Sequence, residues 1–144
     1  MSTWPLIEKL AATLHEHIGL VEEAKRGTAL ARATMGRERG EILETLYRLR
    51  LSRAKLSEEL RALGTLDMLS GGELEDLIAL LGYYVEVAYV NELAVLIEVR
   101  EFADVEADVE ALEELRREAS VILSNLIGKQ SSTRESLNPR AEPL

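Results

Sequence analysis

One stretch constrains this chain more than any other. It is Leu77–Val99, LIALLGYYVEVAYVNELAVLIEV, in which Glu86, Asn91, Glu92 and Glu98 are the only strongly polar residues. On a helical wheel one face carries Leu74, Leu77, Ile78, Leu81, Val85, Ala88, Val95 and Val99. The opposite face carries Ala79, Tyr83, Val87, Val90, Ala94 and Ile97. A helix that is apolar all round has to be covered on both sides, within a domain or between two copies of it. Its length would suit a membrane span of roughly 20 residues. Three glutamates within the stretch oppose that reading, since an ionised acid at mid-bilayer costs about 2.5–3.5 kcal/mol even on the lenient insertion scale. The flanks (Glu73, Glu75, Asp76, Glu101, Asp104) are acidic too, with no Lys or Arg cluster to set an orientation. The expectation is a core helix with no membrane role.

The rest of the composition points to an all-α chain. At 144 residues it is one domain by size, large enough for a real core. Prolines stand only at 5, 139 and 143, and Leu, Ala, Glu and Arg are abundant. There is no cysteine, which excludes disulfides and thiolate metal sites. The opening MSTWPLIEKL lacks a basic start followed by a long apolar run, so it does not read as a signal peptide, and a cytoplasmic location is the default.

Periodicity predicts an antiparallel up-down four-helix bundle centred on helix 3. Helix 1 is expected over Pro5–Arg26, with Pro5 in its first turn and Gly27 just past its end. Its stripe is Ile7, Leu10, Leu14, His17, Val21 and Ala24. Residues 28–36 read either as a short alanine-rich helix or as a lead into helix 2, expected over Arg37–Leu63. That helix has the heptad seam Ile42, Leu46, Leu49, Arg53, Leu56, Leu60, Leu63. Residues 64–72 form a loop in which Leu66, Met68 and Leu69 plug the core. Ser70 and Glu73 have the spacing of a capping box that starts helix 3. No Gly or Pro occurs from Tyr83 to Ile127, so helices 3 and 4 could be one. A break near Ala103–Asp104 is preferred, because Asp is a good N-cap and the tetrad ADVE repeats from there. Helix 4 then uses Val105, Val109, Leu112, Ala119, Leu123 and Leu126, with Val121, Ile122 and Ile127 thickening its end. The bundle is expected over 1–128, and 129–144 as a mobile polar tail.

Charge is unevenly placed. Residues 1–72 carry 11 basic and 10 acidic side chains, and residues 73–144 carry 6 and 16. The acidic second half disfavours a general nucleic-acid or anionic-membrane binder. A basic edge of Arg39, Arg50, Arg53 and Arg61 on helix 2 is the one route to nucleic acid, although it is better suited to facing the acidic helices 3 and 4 of the same bundle. Arg53 lies on the apolar seam itself, and Glu92 on the inner face of helix 3. The two are expected to meet as a buried ion pair, within or between subunits.

Little suggests chemistry. His15 and His17 are two apart and point to different faces, so they make no metal pair, and neither follows a Glu by three, as ferritin-like di-iron sites require. Tyr83, Tyr84 and Tyr89 spread around the wheel, which suits packing and interface roles. The pairs Glu41/Glu44 and Glu73/Asp76 resemble the ExxE…ExxD magnesium site of the all-α nucleotide pyrophosphohydrolases. That resemblance implies Glu41, Glu44, Glu73 and Asp76 as ligands of a phosphate-bridging ion and magnesium as cofactor. Otherwise no cofactor and no catalytic residue is expected.

The leading expectation is a non-enzymatic helical interaction protein: an adaptor, assembly subunit or helical chaperone. It would act as a homodimer or inside a larger assembly, with Tyr83, Val87, Val90, Ala94 and Ile97 as the interface. A small subunit of a nucleoprotein complex and a viral or structural building block are the remaining alternatives.

Overall fold

Four runs of apolar side chains at helical spacing become the inner faces of four helices. The computed structural model describes residues 4–64 and 69–137, with no strand among them. α1 (Trp4–Ala33) and α2 (Gly40–Gly64) form one antiparallel hairpin. α3 (Gly71–Val99) and α4 (Glu106–Leu137) form the other. The fold is the antiparallel four-helix bundle, with helices 3 and 4 separate. α1 packs on α2 and α3, and α4 packs on the same two, so α2 and α3 stand at diagonal corners.

The local signals for helix starts act as read. Ser70 Oγ accepts the Glu73 N–H at 3.2 Å, and Glu73 Oε1 accepts the Ser70 N–H at 3.1 Å, so the capping box opens α3. Asp104 Oδ1 accepts the Glu106 N–H at 3.1 Å and opens α4 after a turn over residues 100–103. Leu69 packs, half-buried, on the core, whereas Leu66 and Met68 lie outside the described residues.

Two expected helix ends are corrected. α1 does not stop at Gly27 but continues to Ala33. Gly27 is buried inside the helix, where a Cβ would lie 3.1 Å from Ile42 Cγ1. Its lack of a side chain serves the close approach of α1 to α2. The stop comes at Met35 (φ 55°) and Gly36 (φ 83°), where Gly36 N–H bonds Ala31 O at 2.7 Å and Met35 N–H bonds Arg32 O at 3.3 Å. These are the two bonds of a Schellman motif, and the turn they close delays the start of α2 to Gly40. Gly128 does not end α4 either, and the helix runs through part of the expected tail to Leu137. An interior glycine costs about 1 kcal/mol, which a long helix absorbs.

α3 is long and apolar enough to cross a membrane by length and composition. It contains one irregularity, a π-helical turn at Tyr84–Ala88. There the Tyr89 N–H bonds Tyr84 O, not the Val85 carbonyl that a regular α-helix would offer it. The Val85 carbonyl accepts Arg116 Nε–H from α4 at 3.3 Å, and the Arg116 guanidinium sits 4.7 Å from the Tyr89 ring centroid.

The core divides in two. Ile7, Leu10, Leu14, Leu56, Leu60, Leu74, Leu81 and Leu115 belong to one cluster. Leu20, Val21, Ile42, Leu49, Val95, Val99, Val105 and Leu112 belong to the other. Every member of the α2 seam and of the α1 stripe is buried. On α4, Leu115 is buried although the pattern did not single it out, while Val121 and Ile127 face solvent and do not thicken the core.

Candidate functional site

Between the two apolar clusters lies a charged layer to which each helix contributes one buried side chain. These are His17 from α1, Arg53 from α2, Glu92 from α3 and Asp108 from α4, all less than 5% exposed. Each stands where the apolar period of its own helix would place a core residue. Arg53 and Glu92 come together within one chain, across the bundle diagonal. Arg53 Nη2 donates to Glu92 Oε2 at 2.7 Å, and Nε to the same oxygen at 3.2 Å. Arg53 Nη1 donates to Asp108 Oδ1 at 3.0 Å. His17 Nε2 meets Glu92 Oε1 at 2.5 Å, and its Nδ1 meets Ser52 Oγ at 2.8 Å. At the rim, Arg50 grips Asp108 with Nε–H (3.0 and 3.2 Å) and Nη2–H (2.9 Å).

The electrostatics follow from this pairing. Burial alone would raise the Glu92 carboxyl, but His17 and Arg53 outweigh it and hold the group below the usual carboxylate range. Burial opposes the charge on Arg53, and Glu92 and Asp108 overcome that opposition, so its pKa is raised. Hydrogen bonding to Asp108 raises Arg50 as well. The layer is therefore occupied with itself: its guanidiniums and carboxylates answer one another.

The basic edge of α2 turns the same way. Arg50 and Arg53 bind Asp108, and Arg61 reaches Glu118 at 3.5 Å. Arg39 is exposed at the start of α2. Arg50, Arg53 and Arg61 line an open groove of about 290 Å³ between α2 and α4, whose other wall carries Asp108, Glu114 and Glu118. The four carboxylates of the magnesium resemblance are not brought together. Glu41 and Glu44 open α2 and Glu73 and Asp76 open α3, and because these helices are antiparallel the pairs lie at opposite ends of the bundle. Among the described residues no group of three or more potential ligands is placed to hold a metal ion. Of the two histidines, His17 is buried in the layer and His15 is exposed.

The outer face of α3 remains. Tyr83 is 46% exposed, Val87 39%, Val90 53% and Ile97 53%. Ala79 and Ala94 are exposed in the same row. This row is about 27 Å long at 1.5 Å per residue. Asp108 and Ser52 were not legible as site residues, because Asp108 also reads as a first-turn acid and Ser52 as an ordinary helix polar residue; Arg50 was legible as part of the basic edge, but not its acceptor.

The fold and these surfaces define a class, an all-α four-helix bundle with a charged central layer and an apolar outer face on its third helix, which stands at a corner of the bundle and not at its centre. No protein family, curated protein or solved structure matches the chain.

Proposed function

We propose that this chain is a non-enzymatic helical interaction protein that works by association, with the outer face of α3 as its docking surface. The observation that carries this reading is the exposed row from Ala79 to Ile97 on a helix whose other face is fully packed. Single exposed apolar residues are ordinary, but a contiguous row along one helix marks a surface that gains by being covered. The charged layer supports the same reading, since its groups are spent on one another and not presented to a substrate. Self-association is the form the reading takes here, with an adaptor or assembly subunit as the biological role.

Light scattering over a concentration series tests it. The wild-type chain should exceed its monomer mass of 16.0 kDa, and Val90→Glu, with unchanged helicity by circular dichroism, should return it to that mass. A wild-type chain that stays monomeric at every concentration would overturn the reading.

A further inference from the structure

Resting on that reading, we infer that the acid-edged outer face of α3 docks a second copy of this chain through the outer face of α2, so that copies add head to tail instead of closing as a symmetric dimer. Charge is the first argument. Residues 71–99 contain no Lys or Arg, and Glu75, Asp76, Glu86 and Glu98 are exposed around the apolar row. None of these four acids has an ion-pair partner among the described residues. A two-fold contact of α3 on α3 would bring two such sets together with no cation from either helix, and like charges across an interface cost several kcal/mol.

The second argument is that the chain carries another apolar row with a different charge setting. Leu43, Tyr47 and Leu51 recur every four residues on α2 and are 48%, 60% and 56% exposed. Beside them Arg48 is paired with Glu23 and Arg50 with Asp108, and Arg39 and Lys55 stand with Glu44 and Glu58. That face is therefore close to neutral where the α3 face is acidic, so α3 meets it without the repulsion it would meet in a second α3.

Geometry supplies the third. α2 and α3 stand at diagonal corners, so their solvent faces point away from each other. One copy cannot use both rows on the same neighbour. Contacts between unlike faces on opposite sides of a subunit propagate unless a rotation closes them into a ring. The row on α3 is about 27 Å long and one helix wide (about 10–12 Å), on the order of 300 Å². That is well below the roughly 800 Å² per partner of a stable interface. Association is accordingly reversible and steeply dependent on concentration.

Two singly blocked variants decide the matter: Ile97→Glu on the α3 face and Tyr47→Glu on the α2 face. Both positions are exposed, so each variant should retain its fold, which circular dichroism with thermal unfolding checks. By sedimentation and light scattering, the wild-type mass should climb past the dimer with concentration, and each variant alone should stay monomeric. An equimolar mixture should then double in mass, because one open α3 face meets one open α2 face and the chain is capped at both ends. If Tyr47→Glu associates like the wild type and the mixture shows no such pairing, the inference fails, while the docking role of α3 stands. If the wild type stays monomeric throughout, both fail.

Discussion

Arg53 holds two buried carboxylates, and a residue with that position can be removed only at the expense of both. Arg53→Met fills the space but leaves Glu92 and Asp108 short of their central cation. The expected loss is about 3–5 kcal/mol, the range for breaking a buried pair by removing one partner, measured as a shift of the urea midpoint. A loss below about 1 kcal/mol would show the guanidinium to be better solvated than its burial implies. Glu92 carries the pH dependence. Its folded carboxyl is held below the ordinary value of 4.5, so the unfolded chain takes up the proton first. Stability from this group is therefore fully present above about pH 4.5 and is lost as pH falls through the folded value. Glu92→Gln should be less stable than the wild type at pH 7 and should lose less between pH 5 and pH 3. Equal acid slopes in urea melts of the two proteins would refute this. The polar interruptions of the apolar stripes, His17 on α1 and Arg53 on α2, are legible at this scale because they break a regular period. Glu92, the partner of Arg53, is legible in the same way, but Asp108 is not, since it belongs to a helix more than fifty residues further along the chain.

At the level of helices, starts were more legible than ends. Ser70–Glu73 and Asp104 act through bonds to backbone within three residues, so their meaning is contained in the local sequence. Glycine is ambiguous, because it serves equally as a stop, a close approach or an exposed interior position. Gly27 and Gly19 on α1 separate these uses. Nothing lies within 4 Å of a Cβ built at Gly19, whereas Ile42 stands 3.1 Å from one at Gly27. Gly19→Ala should therefore stabilise by about 0.5–1 kcal/mol through helix propensity. Gly27→Leu should destabilise by about 1–3 kcal/mol by pushing α2 away. Thermal melts of the two single variants check both signs, and a neutral Gly27→Leu would show that the α1–α2 contact yields easily. The π-turn of α3 lay beyond reach of the sequence, because the Arg116 side chain that satisfies its free carbonyl comes from another helix.

On the scale of the whole molecule, the bundle is two apolar clusters joined by a layer of alternating charge, with the acidic hairpin set against a nearly neutral one. Buried polar layers are known to select one register among several that apolar packing alone would allow. The placement of one charged or polar group from each helix in a single plane suits that role, because sliding any helix by one turn would leave its own group and its partners unpaired. The apolar faces at the diagonal corners belong to this scale as well, and the predicted pairing of singly blocked variants is a property of the arrangement and not of any one residue.

By itself the sequence determined that the chain is all-α, where the inner seams of α1 and α2 lie, how α3 begins, and that Arg53 and Glu92 had to be answered if buried. These follow from period, caps and the cost of burying charge, which act within a helix or on a single side chain. Only the tertiary structure decided that Asp108, His17 and Arg50 complete the layer, that the carboxylates of the magnesium resemblance stand at opposite ends, and that α2 and α3 face opposite ways. Those depend on which helices stand side by side and in which direction they run. A repeating apolar pattern is compatible with several such arrangements, and the pairing of buried charge distinguishes among them.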